Sequence, residues 1–403
     1  MKLIFVNRYF HPDISATSQL ATDLALDQAA RGREVHVVAS RQLYDDAAAC
    51  LGAAQTHRGV RIHRVWTTRF GRAGLAGRAI DYATFCLACA AALLRLAAAG
   101  DLIVAKTDPP LVGVVAAWVA RRRRAILVNW LQDVFPEAAQ RLGVTALSGA
   151  LGAFARRLRD YSLRSAAANV AVGDRMAGTI GALAHSGARV EVIENWADGS
   201  LVRPIARAAN RLRAEWGLGD RFVVGYSGNM GRAHEFVTIL EACERLRSEP
   251  GIVFLFVGSG HQRGWLESEA LRRSLGNVVF RPYQPRAALA ESLCAADAHL
   301  VSLKPALEGL IVPSKFYAIA AAARPTLFIG DPDGEIARVV AGEGCGRTLA
   351  SGDGAGLAAA IRALRDRPQE CAQMGERARA AFERRFDAPL ALAKWDRLLA
   401  GLA

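Results

Sequence analysis

Residues 222–235 read FVVGYSGNMGRAHE. A six-residue apolar run ends at Ser227, the loop Gly228-Asn229-Met230-Gly231-Arg232-Ala233-His234 follows, and a helix is expected from Glu235. A strand that feeds a glycine loop and then a helix is the repeating unit of a doubly wound α/β sheet, whose ligands bind beyond the carboxyl ends of the strands. Glycines there let backbone amides come close to an anion, and a helix N-terminus favours negative charge. Arg232 adds a full positive charge where a diphosphate would lie. The spacing matches neither a P-loop nor GxGxxG, so an anion cradle and a plain glycine-rich turn both remain open on spacing alone.

Outward from this stretch, strand-like and helical runs alternate almost from end to end. Strands are read at 2–8, 34–39, 61–67, 102–107, 125–131, 169–172 and 190–195, with helices clearest at 17–30, 111–123 and 146–165. The segment 196–210 breaks the rhythm with Asp198-Gly199-Ser200 and Pro204. The pattern then restarts, with strands at 222–227, 252–257, 278–282, 299–303 and 326–329. Helices are read at 235–247, 264–275, 286–294, 315–323 and 334–341, then at 356–365, 369–385 and 390–402. Continuous apolar strands mean that both sheet faces are covered. The expectation is an α/β chain of two Rossmann-like doubly wound domains, 1–200 and 201–387, facing one cleft.

Two further loops follow strands of the second half. Gly258-Ser259-Gly260-His261 superficially resembles a dinucleotide motif, but Gly264 comes one residue too late for the third glycine. The other runs from Lys304 to Lys315, with Pro313 before a helix and Ser314 as its expected cap. Lys315 in the first turn opposes the helix dipole, which is easier to understand if the cation meets a phosphate. Glu308 in the same loop is read either as a ligand for sugar or ribose hydroxyls or as a solvent-facing acid.

At 403 residues the chain has room for two cores, and 52% hydrophobic with 22% charged residues is a globular composition. Seven cysteines without regular spacing, Cys86 and Cys89 three apart within an apolar helical run, read as buried thiols in a reducing compartment, not as a disulfide framework or a zinc site. MKLIFVNRYF reads as a first strand and not as a signal peptide. The one membrane-like stretch, 80–96, is bracketed by Asp81 and Arg95 and is expected to be a buried or amphipathic helix. The net charge is +13, with 24 Lys+Arg against 16 Asp+Glu in residues 1–200. Arg121–Arg124 form one run; Arg156, Arg157, Arg159 and Arg164 decorate a second helix. Such a field suits anionic lipid or a phosphorylated acceptor. Nucleic acid is not expected, because no aromatics interleave the basic runs and no recognised module is present.

YSGNMGRAHEF at 226–236, EGLIVPSKFYAIAAAARP at 308–325 and IENWAD at 193–198 together resemble the retaining family-four glycosyltransferases. FVNRYFHPDISATSQ at 5–19 and NWLQDVFPE at 129–137 are similar to the branch that assembles bacterial surface polysaccharides of the O-antigen, exopolysaccharide or colanic-acid type. The resemblance covers nearly the whole chain. It implies the GT-B fold, a UDP- or GDP-sugar held mainly by the C-terminal domain, retention of anomeric configuration, and a last helix, 388–403, that packs back on the N-terminal domain. By position it implies that Gly228, Asn229, Gly231, Arg232, Ser314 and Lys315 serve the donor diphosphate, and that Glu308, Gly309 and Leu310 lie near the donor sugar. His11, Asp13, Ser15 and Ser18 would face the cleft from the N-terminal side, with Asp133 and Glu137 near the acceptor. Where the family often carries a ribose-gripping glutamate this chain has Ala318, which shifts that role to a residue such as Glu335.

Retaining transfer builds negative charge on the leaving diphosphate, so Arg232 and Lys315 are expected to act electrostatically. His11, Asp13 and Asp133 are expected to orient the acceptor. The activity expected is a hexosyl- or N-acetylhexosaminyltransferase, UDP-sugar favoured, acting on a lipid-linked or glycan acceptor. No cofactor and no metal ion is expected to be needed. The helix at 151–164 mixes leucines and Phe154 with four arginines, so a cytoplasmic protein peripheral on the inner face of the plasma membrane is expected. Competing readings are a nucleotide-sugar epimerase on the same fold, a non-catalytic nucleotide-sugar binder encouraged by Ala318, and a dinucleotide oxidoreductase, against which the missing GxGxxG counts.

Overall fold

The computed structural model describes residues 1–46, 48–71, 74–183 and 188–403. The chain divides into two units. The first comprises Met1–Glu194 with Gly309–Ile311 and Leu392–Ala403; the second comprises Asn195–Glu308 with Val312–Ala391. The division falls at Glu194, six residues before the sequence boundary, and the last helix contributes to both units.

The first unit holds strands β1 (Lys2–Val6), β2 (Glu34–Ser40), β3 (Ala54–His57), β4 (Val60–Val65), β5 (Leu102–Lys106), β6 (Ile126–Leu131), β7 (Ala168–Ala171) and β8 (Val190–Val192). They form one sheet in the order β3-β4-β2-β1-β5-β6-β7-β8, parallel throughout except for the β3–β4 hairpin at one edge. Strand β3 was missed because AQTH is exposed and carries no apolar run. On one face of this sheet the helices Leu75–Leu96 and Val112–Arg123 bury Phe85, Cys89, Leu93, Ala116 and Val119 against Ile4, Val38 and Ile103. Trp395 of the last helix, Ala388–Ala400, is fully buried against Trp130, ring centroids 4.8 Å apart.

The second unit holds β9 (Phe222–Ser227), β10 (Ile252–Val257), β11 (Val278–Arg281), β12 (Ala298–Ser302), β13 (Thr326–Ile329) and β14 (Gly346–Leu349), all parallel, in the order β11-β10-β9-β12-β13-β14. Strand β10, IVFLFV, is buried at every position, as helices on both faces require. Chain order reverses between β9 and β12, which are hydrogen-bonded neighbours. The loops that leave these two strands therefore diverge and open a crevice at their carboxyl ends. In the first unit the corresponding neighbours are β1 and β5.

Candidate active site

The loop after β9 is held open by its neighbour. Gly228 donates its N–H to Val257 at 2.9 Å, and Met230 donates to Ser259 at 2.8 Å. Gly258 and Gly260 permit this approach, with φ of +136° and +143°. A Cβ on Gly258 would stand 2.2 Å from the Gly228 carbonyl oxygen, and one on Gly260 would stand 2.6 Å from the Met230 amide nitrogen. The GSG loop thus braces the GNMG loop, which is why it looks like a cofactor motif without having its spacing. Gln262 completes the brace, its side-chain amide donating to the carbonyls of Gly231 and His234 at 2.6 and 3.2 Å. The amides of Asn229 and Gly231 make no hydrogen bond among the described residues, so they remain available to an anion.

The helix beyond this loop begins at Val237, two residues later than expected. The carboxylate of Glu235 accepts from the amides of Val237 and Thr238 at 2.7 and 3.2 Å. A side-chain carboxylate thus already holds those donors at the helix N-terminus.

Lys315 reaches back to the same loop from the far side of the crevice. Its Nζ donates to the Tyr226 hydroxyl, lies 3.8 Å above the Tyr226 ring centroid, and stands 3.3 Å from His234 Nε2. His234 Nδ1 faces the Ser302 carbonyl oxygen at 2.6 Å. A carbonyl only accepts, so Nδ1 carries the proton and Nε2 offers a lone pair to the ammonium. Burial, and then the Lys315 charge, push the His234 pKa down to about 3, so its imidazole is neutral. Among the described residues no carboxylate pairs with Lys315. Desolvation holds the Lys315 pKa well below the ordinary lysine range. A cation set against a ring, a hydroxyl and an imidazole lacks the counter-charge that an anion would supply. Tyr226 and His234 lie within the sequence motif, and only their convergence on Nζ gives them a role.

The other residues expected around the donor fall into different places. Arg232 is exposed in the β9 loop. Glu308 turns its carboxylate to the amide of Glu335 at 2.8 Å, at the start of the helix Glu335–Glu343. A Cβ on Gly334 would meet the other Glu308 oxygen at 2.5 Å, so glycine is needed for the contact. Glu308 therefore acts first as a helix cap, and it draws Glu335 beside it. Ser314 takes the cap position of the helix Lys315–Ala321 but makes no side-chain cap bond, because its backbone is already helical. Gly309 and Leu310 belong to the first unit, where the Leu310 carbonyl accepts from Val134 at 2.9 Å. Asp331-Pro332-Asp333 has the Asp-x-Asp spacing. Asp331 accepts from the Asp333 amide at 2.9 Å and Asp333 pairs with Arg338, and no group of three metal-ligating side chains gathers among the described residues.

In the first unit, Asp13 and its neighbours serve their own loop. The Asp13 carboxylate is buried, accepting from Ser15 N–H and Oγ at 2.9 and 2.5 Å and from the Tyr44 amide at 2.5 Å. Ser18 is fully buried and donates to the Asp13 carbonyl. These contacts tie the polar atoms of Asp13, Ser15 and Ser18 to their own turn. His11 stacks on His57 at 3.9 Å, and its pKa is lowered by burial and then by the charges of His57 and Arg64. Glu137 is ion-paired to the buried Arg159 at 2.8 Å. Asp133 lines a cavity of about 50 Å³ with Lys106, Thr107, Asn129 and Ser162. Its Oδ1 is buried without a partner, and burial pushes its pKa up to about 6, with Asp108 adding to the rise. Lys106, missed in the sequence because it ends an apolar strand, is buried with Nζ 3.6 Å over the Trp130 ring.

Comparison with known proteins agrees with two such units. Residues 16–196 match the glycosyl transferase 4-like domain, and residues 208–381 match the glycosyl transferases group 1 family. Both matched models describe glycosyl transferases. WbjE of Pseudomonas aeruginosa, named as a glycosyltransferase, is 29% identical over 65% of this chain and 65% of its own length. WcaI of Escherichia coli K12, named as a colanic acid biosynthesis glycosyl transferase, is 36% identical over 32% of this chain and 31% of its own. The matched stretches thus span less than two thirds of these relatives. Among solved structures, sucrose-phosphate synthase from Thermosynechococcus elongatus superposes with a TM-score of 0.79 at 17% identity, covering 100% of this chain and 99% of that one. Anabaena HepE, solved with UDP-glucose, superposes with a TM-score of 0.74 at 17% identity and full coverage of both chains. At such identities the likeness is one of fold, two Rossmann-like α/β domains of the GT-B kind.

Proposed function

We propose that this protein is a retaining glycosyltransferase that moves a hexosyl or N-acetylhexosaminyl group from a UDP-sugar to a lipid-linked or glycan acceptor during surface-polysaccharide assembly in the cytoplasm. The observation that carries this reading is the Lys315 ammonium, held without a carboxylate partner among the described residues and near the open amides of Asn229 and Gly231. A donor diphosphate would supply the missing negative charge. As the glycosidic bond to the diphosphate breaks, charge accumulates on the leaving phosphate, and Lys315, Arg232 and the loop amides stabilise it. Neutral His234 fixes the direction of the Lys315 head. Glu308 and Glu335, adjacent through the 2.8 Å amide contact, are the carboxylates for donor hydroxyls in place of the glutamate that Ala318 replaces. UDP is favoured over GDP because HepE, of the same fold, was solved with UDP-glucose.

The test is thermal stabilisation by UDP, GDP, ADP and NAD on the wild type and on Lys315→Ala. Stabilisation by UDP, with affinity reduced about tenfold to a hundredfold in the variant, is expected for loss of one charge-assisted contact. A response to NAD alone would sink the reading.

A further inference from the structure

The helix Leu75–Leu96 does not behave as the core helix its composition suggests. Only 22% of its apolar stretch is buried, although by length and composition it could cross a membrane. Phe85, Cys89 and Leu93 pack inward, while Ala79, Ala83, Leu87 and Ala91 form an outward stripe at four-residue spacing. Leu87 is 73% exposed and Ile80 46%. Asp81, the helix's one carboxylate, is turned inward onto the Thr68 hydroxyl, the amides of Phe70 and Gly71, and Arg8. From residue 79 to 94 the outer face therefore carries no charge, a length of roughly 24 Å.

The two ends of this stripe differ from its middle. Exposed Phe70 lies over Gly77 near the start. At the other end Arg123 donates to the Leu94 carbonyl, which draws the run Arg121–Arg124 alongside Arg95. Trp118 on the helix Val112–Arg123 is exposed, with the Arg122 guanidinium 5.3 Å from its ring. Among the described residues Arg95, Arg121, Arg122 and Arg124 make no ion pair. The sequence reading gave the membrane role to the next helix, Ala150–Ser165, but one of its arginines, Arg159, is buried in ion pairs with Glu137 and Asp160.

The geometry points to the outer face of Leu75–Leu96, with Trp118 and the Arg121–Arg124 cluster, as a docking surface for an anionic lipid bilayer. Apolar residues flanked by an interfacial tryptophan and unpaired arginines match the depth profile of such a surface, apolar tails below and anionic headgroups above. Charge decides against a second copy of the chain as the occupant, because self-association of this face would crowd the two arginine clusters together. The inference deepens the lipid-linked acceptor of the proposed function, but it stands on surface chemistry and is tested apart from catalysis.

Flotation of the full chain with vesicles of phosphatidylcholine, with and without phosphatidylglycerol, tests it. Binding is expected only with phosphatidylglycerol and is expected to be released by high salt. Leu87→Glu should weaken it at least about tenfold. The triple change Arg121→Gln, Arg122→Gln, Arg124→Gln should weaken it on the order of a hundredfold. Both variants change exposed side chains, so unchanged melting and unchanged UDP stabilisation show that fold and donor site are intact, separating failure here from failure of the transferase reading. Wild-type binding by Leu87→Glu, retention until detergent is added, or a dimer that Leu87→Glu dissociates would each overturn the proposal.

Discussion

Lys315 is where charge, burial and chemistry meet. In the free protein its surroundings disfavour the ammonium form, so its pKa is depressed. A bound diphosphate favours that form and raises the pKa again. Over the pH range between the two values, binding must therefore take up a proton, and affinity must fall as pH rises. Calorimetry of UDP binding in buffers of different ionisation enthalpy should show this uptake, and Lys315→Ala should abolish it. Absence of proton linkage in the wild type at every alkaline pH would show that Lys315 does not face the phosphates. His234 illustrates the limit of reading residues singly. Its identity suggests a titrating group, yet the Ser302 carbonyl on one nitrogen and the Lys315 cation on the other keep it neutral.

At the level of elements, the strand–loop–helix order was legible because its signals are local. Runs such as IVFLFV at β10 can bury both faces only in a covered parallel sheet. Helix starts were less legible, since a cap depends on which side chain reaches the free amides. Glu235 was read as the first helical residue and proves to be the cap. Glu235→Ala is expected to cost about 1 kcal/mol, seen as a lowered melting temperature. UDP affinity should stay unchanged, because the proposed phosphate contacts are the loop amides and Lys315. A large loss of affinity in this variant would instead place the phosphate at that helix. Asp13 shows the same limit, since nothing in HPDIS tells a turn-holding carboxylate from a reactive one until Tyr44 closes over it.

For the whole molecule, the last helix matters more than its length suggests. Leu392–Ala403 belong to the first unit, bringing Trp395 and Leu399 into its interior and pairing Lys394 with Glu194 at 2.7 Å and Asp396 with Arg33 at 3.0 Å. Truncation after Ala391 removes a buried tryptophan and leucine and uncovers Trp130. The expected cost is about 5 kcal/mol. Scanning calorimetry should show the first unit's transition lowered by roughly 10–20 °C. An unchanged transition would mean that the helix only rests on the surface.

The sequence by itself determined the two-fold α/β organisation, the glycine loop and the presence of Lys315 and Arg232, because hydrophobic period and turn chemistry are properties of neighbouring residues. The tertiary structure alone decided which polar groups are free. Pairing of β9 with β12, strands that begin at Phe222 and Ala298, brings Lys315 to Tyr226 and His234 and leaves the ammonium without a counter-charge among the described residues. The same long-range packing holds Asp13 and Glu308 against backbone amides, and turns Asp81 inward so that an apolar helix face is left to solvent. Satisfaction of buried polar groups depends on what the fold brings within 3 Å, which no local pattern records.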